Sequence, residues 1–215
     1  MYDRMAAPKG ISRVQVVERP TGAVSAAGWG RVGPARWSRA DLLVAGGLAL
    51  LTALSRWPFR TTMLQSWDAG LFAQALDDYN VVAHHPQPPG YIFYVAVAKA
   101  LRALTGLGAN ATYVLISLGA ASLTVALLYG LGRLLFDRPT GLLAAGLAAT
   151  SVSFWYYSAI VYPYTTLALG STALALLCRL LATGRVRPPL AGLAFGLTGG
   201  FRQDLLLFLA NLAGG

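Results

Sequence analysis

The hydrophobic pattern changes at about residue 40. Beyond that point the chain alternates long apolar runs with short polar segments. The runs cover roughly 41–57, 110–132, 140–159, 162–182 and 188–209. Most of them approach the roughly 20 residues that a helix needs to cross the hydrocarbon core of a bilayer. The pattern predicts an all-α fold, a polytopic transmembrane helix bundle occupying residues 40–215.

Small residues recur along these runs at helical spacing. They include Gly141, Ala145, Gly146 and Ala149 in the third run, and Gly192, Gly196 and Gly200 in the last. Faces of small residues let transmembrane helices approach closely. The apolar runs are therefore expected to pack against one another as a bundle.

Composition and charge support a membrane protein. Of the 215 residues, 56% are hydrophobic and 12% are charged, with a net charge of +9. The cations lie at the ends of apolar runs and do not form a basic stripe with interleaved aromatics, which argues against nucleic acid as a partner. Residues 1–39 hold seven of them among Gly, Pro, Ser and Ala, which predicts a disordered basic tail. The single cysteine, Cys178, excludes an intrachain disulfide.

The distribution of lysine and arginine predicts the sidedness. The stretch 89–104 is apolar and aromatic but carries Lys99 and Arg102 near its end. If it lies flat at the interface, 12 of the 17 cations fall on one side of the membrane, and if it crosses the bilayer the split is nearly even. The positive-inside rule favours the first arrangement. The N-terminus is then cytoplasmic, and the first loop, 58–109, with its amphipathic and interfacial helices, faces outward.

This outward loop holds the candidate chemistry of the chain. It contains both histidines and three of the eight acids. Ser66 is a good N-cap for a helix from Trp67 to about Tyr79, in which Asp68 heads an apolar stripe. A carboxylate in that position suits a general base. The alternative is that Asp68 only complements the helix dipole in the first turn.

The other polar residues of the loop admit functional and structural interpretations. Asp77 and Asp78 are candidate metal ligands or substrate contacts, or simply a solvated helix end. His84 and His85 precede prolines that forbid helix and stiffen the backbone. Paired imidazoles can bind a metal, donate to phosphate, or bridge backbone groups. A divalent metal is therefore a candidate cofactor, and no cofactor is established.

Two short motifs in this loop resemble a known class of enzyme. Trp67-Asp68, followed by the segment His85-Pro86-Gln87-Pro88-Pro89-Gly90-Tyr91 and an aromatic helix with Lys99, is similar to the GT-C class of membrane glycosyltransferases. The nearest parallels are the protein O-mannosyltransferase (glycosyltransferase family 39-like) and aminoarabinose transferase-like families. The similarity covers roughly residues 40–215, and its motifs lie within 67–99. Gln87 departs from the simplest His-Pro-Pro-Gly-Tyr pattern.

The resemblance implies transfer of a sugar from a polyprenyl-phosphate donor to an acceptor hydroxyl on a lipid, glycan or protein. It places the catalytic acid of the class at Asp68 and implies inversion at the sugar. His85, Lys99 and Arg202 are candidate groups for the donor phosphate, and Trp67 and Tyr91 are candidate substrate-lining residues. It further implies a multi-pass protein of the bacterial plasma membrane. Because such families generally have many more spans, the chain is expected to be an N-terminal fragment.

Other interpretations remain open on the residues alone. Arg202 can clamp a lipid phosphate, snorkel, or pair with Asp204. Aromatic residues between 155 and 164 are typical of an interfacial belt, or of sugar stacking. The whole chain could instead be a small transporter or a non-catalytic scaffold. The scarcity of ionisable residues inside 110–182 argues against a transporter, and a scaffold predicts that Asp68 is dispensable.

Overall fold

The computed structural model describes residues 37–201, and within that range the chain is all-α. The prediction of an all-α helical bundle is confirmed. Residues 1–36, which are most of the predicted tail, and residues 202–215, which include the end of the last apolar run, lie outside the described residues. The helices are α1 Arg39–Arg56, α2 Trp67–Ala75, α3 Ile92–Thr105, α4 Ala109–Leu135, α5 Arg138–Thr150, α6 Val152–Ser158, α7 Tyr164–Ala182 and α8 Pro188–Phe201.

Three of the described helical segments are long and apolar enough to cross a membrane. They are Arg39–Phe59, which is α1 with a following 3₁₀ turn, Ala109–Leu135 and Tyr164–Ala182. The apolar run predicted at 140–159 is divided between two helices, α5 and α6. Between them Ser151 adopts an extended conformation with ψ of 125°, which ends the first helix. The third predicted span is thus a broken helix, and the predicted run at 188–209 is described only as α8.

The longest helix, α4, forms the centre of the bundle and packs against α1, α5 and α7. Its crossing with α5 is close because Gly132 faces Gly141 across the two helices. A Cβ atom on Gly132 would lie 2.7 Å from the Cα of Gly141. One on Gly141 would lie 2.5 Å from the carbonyl oxygen of Tyr129. The small residues therefore set the distance between two backbones, as the sequence pattern suggested.

This close approach gives a test of the packing. Gly141→Ala is expected to destabilise the bundle by about 1–3 kcal/mol, because backbone atoms of α4 must move to admit the methyl group. Gly146 lies on the same helix, but a Cβ there would meet no atom within 4 Å. Gly146→Ala should therefore leave the free energy of unfolding in mixed micelles unchanged or slightly higher. Equal losses in the two variants would contradict the assigned crossing.

The start of α1 is held against the end of α4 by a buried polar cluster. The carboxylate of Asp41 forms an ion pair with Arg133, whose Nε lies 2.9 Å away, and accepts hydrogen bonds from Arg138 Nε at 2.9 Å and from the Tyr129 hydroxyl at 3.0 Å. Ser38 and Asp41 also form a capping box at the helix start. Buried charges are stable when paired and hydrogen-bonded in this way. We call this end of the bundle the Asp41 end.

At the opposite end, the buried side chain of Arg56 ties α1 to the break between α5 and α6. Its guanidinium donates to Ser158 Oγ at 2.9 Å and to the carbonyl oxygen of Ala149 at 2.6 Å. It also lies 4.5 Å from the centroid of the Trp155 ring. Because the interior supplies acceptors for its donors, the charge is accommodated among neutral groups. We call this end the Asp68 end, because α2, the helix that contains Asp68, also lies here.

Helices α2 and α3 form a small layer at the Asp68 end, on the start of α4. Phe72, Tyr94 and Tyr113, one from each helix, are buried and in mutual ring contact, with centroids 5.0–5.8 Å apart. The Tyr113 hydroxyl also donates to the carbonyl oxygen of Phe72 at 3.0 Å. Burial of these aromatic rings fixes α2 and α3 to the bundle.

The predicted start of α2 is confirmed, and its predicted end is wrong. Ser66 is the N-cap and accepts a hydrogen bond from the Ala69 amide. The helix ends at Ala75, short of Tyr79, because Tyr79 turns to the following loop, where its hydroxyl donates to the Gly90 carbonyl at 3.0 Å. The stretch 89–104, for which the sequence predicts an interfacial helix, contains α3. This helix begins at Ile92, and the preceding residue, Tyr91, has a left-handed backbone conformation with φ of 47°.

Candidate active site at the Asp68 end

A cleft of about 570 Å³ lies between α2 and the histidine-proline loop that follows it. We call it the Asp68 cleft. One wall is the first turns of α2, and the other is the loop segment around the paired histidines. Its lining residues are Trp67, Asp68, Gly70, Leu71, Gln74, Ala83, His84, His85 and Gln87. Acidic, imidazole, amide and aromatic side chains thus share one concave surface, as in many substrate sites.

Asp68 lies half-buried in the first turn of α2, two residues after the N-cap. Its Oδ2 accepts a hydrogen bond of 3.1 Å from the hydroxyl of Tyr162, which is 94 residues away in sequence. Within the described residues, Asp68 has no cationic partner. The position still fits the helix dipole. However, the cleft and the tyrosine give this carboxylate an environment that dipole compensation alone does not require.

The sequence analysis missed Tyr162 as the partner of Asp68 and interpreted it as part of an aromatic belt or as a residue for sugar stacking. The pKa of its phenol lies above the usual value. A hydrogen bond with Ser66 lowers that pKa, but partial burial and the nearby charge of Asp68 together raise it more. The phenol is therefore protonated at neutral pH and can donate to the carboxylate. No local signal in the sequence links the two residues.

Tyr162 belongs to a cluster of tyrosine rings at the turn between α6 and α7. Its ring stacks on that of Tyr164, with centroids 5.4 Å apart and an interplanar angle of 11°. Tyr157 packs edge-on against both rings, at 5.8 Å from Tyr162 and 4.6 Å from Tyr164. The aromatic residues of this turn thus lie beside Asp68 and fix the ring that contacts it.

The two predicted histidines both line the cleft, and the loop backbone holds them there. His85 forms a reciprocal pair of backbone hydrogen bonds with Asn80, both of 2.8 Å, and its Nδ1 lies 3.3 Å from Asp78 Oδ2. His84 is exposed and adopts a left-handed conformation with φ of 60°. The peptide bonds before Pro86 and Pro89 are cis. Imidazoles held in this way can donate to an anion bound in the cleft.

Gln87, the residue that departs from the simplest motif, contributes an unsatisfied acceptor. Its Oε1 is buried and has no hydrogen-bond partner among the described residues, although the side chain lines the cleft. Leaving a buried carbonyl oxygen unpaired is unfavourable, by about 1–3 kcal/mol in typical cases. A hydroxyl group bound in the cleft would relieve that cost.

No protein-family model, curated protein or solved structure matches this chain.

Several other candidates from the sequence lie outside the cleft lining. Asp77 pairs with Arg102 of α3 at 2.8 Å, with both side chains exposed. The Tyr91 ring packs on Phe72 at 5.3 Å, in the core between α2 and α3. Lys99 is half-exposed on α3. The predicted donor contact at Arg202 falls outside the described residues.

The sequence predicts four candidate metal ligands, which are Asp77, Asp78, His84 and His85. In the structure Asp78 pairs with His85, whereas Asp77 pairs with Arg102. Among residues 37–201, no three His, Cys, Asp or Glu side chains are grouped closely enough to hold a metal ion.

A second, apolar cleft of about 680 Å³ lies at the same end of the bundle, between the end of α1 and the start of α4. We call it the Met63 cleft, after one of its apolar lining residues, which also include Leu64, Leu107 and Leu115. Arg60 provides a positive charge among the lining residues, and its guanidinium lies 3.9 Å from the Trp57 ring centroid. Asn110 Nδ2 donates to the Thr61 carbonyl at 2.9 Å and braces the loop that forms one wall.

Proposed function

We propose that this chain is an integral membrane glycosyltransferase that moves a sugar from a polyprenyl-phosphate donor to an acceptor hydroxyl, with Asp68 as the general base. The observation that carries the proposal is the half-buried carboxylate of Asp68 in a cleft with two histidines and a Gln87 oxygen that has no partner among the described residues. The cleft lies at the ends of apolar helices, where a lipid-linked sugar would meet the surface. The short motifs similar to GT-C glycosyltransferases run through the same residues.

The chemical step follows from these groups. Asp68 removes the proton of the acceptor hydroxyl as the acceptor oxygen forms a bond to the anomeric carbon of the sugar. The bond between that carbon and the phosphate oxygen breaks, and its electron pair leaves with polyprenyl phosphate. His85, which lines the cleft, donates to the departing phosphate. Attack opposite the leaving phosphate inverts the configuration at the anomeric carbon.

Two features support a lipid-linked donor over a soluble one. The Met63 cleft offers apolar walls to a prenyl chain, at the same end of the bundle as the Asp68 cleft, and Arg60 supplies a cation there. The distribution of lysine and arginine supports a cytoplasmic N-terminus. The Asp68 end then faces the non-cytoplasmic side of a bacterial plasma membrane, where nucleotide sugars are absent.

The test compares donor classes directly. Membranes containing the chain are incubated with radiolabelled polyprenyl-phosphate mannose or glucose, and in parallel with the matching nucleotide sugars. We expect label to leave the polyprenyl donors, with release of polyprenyl phosphate, and not to leave the nucleotide sugars. Intact polyprenyl donors, or equal use of both classes, would overturn the proposed function. Membranes lacking the chain are the background control.

A further inference from the structure

The position of Tyr162 is fixed independently of Asp68. Its backbone carbonyl accepts a hydrogen bond of 3.1 Å from Ser117 Oγ in the first third of α4. Its neighbour Val161 is fully buried in the core that also contains Phe72 of α2. The ring itself stacks on Tyr164. The phenol is therefore held by the bundle, and α2 brings Asp68 to it.

We propose that Tyr162 is the positioning residue of the Asp68 cleft, holding the carboxylate through Oδ2 so that Oδ1 is left to receive the acceptor proton. This inference rests on the proposed function, because it assigns Tyr162 a role in that same reaction. Tyr162 is the only side chain among the described residues that hydrogen-bonds to Asp68. Among the described side chains, Tyr162 is therefore the one that orients the Asp68 carboxylate.

The surroundings of Asp68 explain why such a contact is needed. Helix α2 has nine residues, and Asp68 lies in its first turn, where the side chain can adopt several rotamers. The titratable groups that share the cleft with it are His84 and His85 from the loop, and Tyr162 approaches from the α6–α7 turn with Tyr164 behind it. A base must lie within hydrogen-bond reach of its proton, and small misplacements are costly in rate.

Tyr162→Phe tests the role while keeping the ring and its stacking. We expect kcat for transfer from the polyprenyl-phosphate donor to fall roughly tenfold, since one charge-assisted hydrogen bond is lost, with KM for the donor changed less than twofold. Tyr164→Phe removes a hydroxyl from the adjacent stacked ring and should leave both constants within twofold. A Tyr162→Phe enzyme with unchanged kcat, or with the effect only in KM, would overturn the inference.

A spectroscopic arm keeps this inference separate from the proposed function. In the full chain with ¹³C-labelled tyrosine, the Tyr162 resonance is identified by its absence in Tyr162→Phe. Asp68→Asn removes the charge that raises the pKa of this phenol, so Tyr162 should titrate at lower pH in that variant. An unchanged titration would overturn the contact. Wild-type membranes without transfer, combined with a shifted titration, would reject the transferase and retain the contact.

Discussion

Replacing Asp68 by asparagine is expected to lower sugar transfer roughly 10²- to 10⁴-fold, the usual contribution of a general base. The amide keeps the size of the side chain and can still accept the Tyr162 hydrogen bond that reaches Oδ2. It cannot take a proton from the acceptor. The loss should therefore appear in kcat, with donor binding retained, and the variant should insert into membranes in normal amounts.

The matched control for this variant is Asp137→Asn. Asp137 is an exposed N-cap of α5, where its side chain accepts from the Thr140 amide at 2.8 Å. Asparagine caps helices about as well as aspartate. The control makes the same chemical change outside the Asp68 cleft and should retain full transfer. Equal activity of wild type and Asp68→Asn would remove Asp68 from the mechanism.

Replacing Arg56 by methionine is expected to lower the free energy of unfolding by about 2–4 kcal/mol, because buried acceptors lose their donors. The carbonyl of Ala149 and the hydroxyl of Ser158 both lose a donor in this variant. The apolar side chain retains much of the contact with Trp155. The loss can be measured by unfolding the purified chain in mixed micelles of increasing SDS content.

Two further variants show whether the geometry of Arg56 matters. Arg56→Lys keeps the charge but loses the planar fork that reaches Ala149 and Ser158 together, so an intermediate loss is expected. Arg185→Met removes an exposed arginine in the segment after α7 and should change stability little. A stability of Arg56→Met equal to that of wild type would contradict the assigned role.

The fold was largely predictable because an apolar run of roughly 20 residues indicates a helix long enough to cross a bilayer. The break at Ser151 was not predictable, since no proline or glycine marks it. The carbonyl of Ala149, just before the break, bonds to Arg56, which lies 93 residues earlier in the chain. Tertiary contacts of this kind leave no local pattern. The early end of α2 has the same origin, in the contact between Tyr79 and Gly90.

The candidate site was predictable only in its local parts. Asp68 and the paired histidines lie within 18 residues of one another, so a capped helix and a proline-rich loop placed them on the same outward segment. Tyr162 was missed as a partner because its contact spans the bundle. The catalytic role of Asp68 stays a prediction, and the structure adds the cleft beside this residue and the hydroxyl of Tyr162 as its hydrogen-bond donor.

A single-turnover measurement on the chain reconstituted in lipid nanodiscs tests whether Asp68 acts as the base in sugar transfer. Radiolabelled polyprenyl-phosphate sugar and membrane-derived acceptors are added, and released polyprenyl phosphate is followed over time. We expect release by wild type together with transfer of the sugar, and almost none by Asp68→Asn at equal protein concentration. A donor that stays intact with wild type, or is cleaved equally by both proteins, would contradict this expectation.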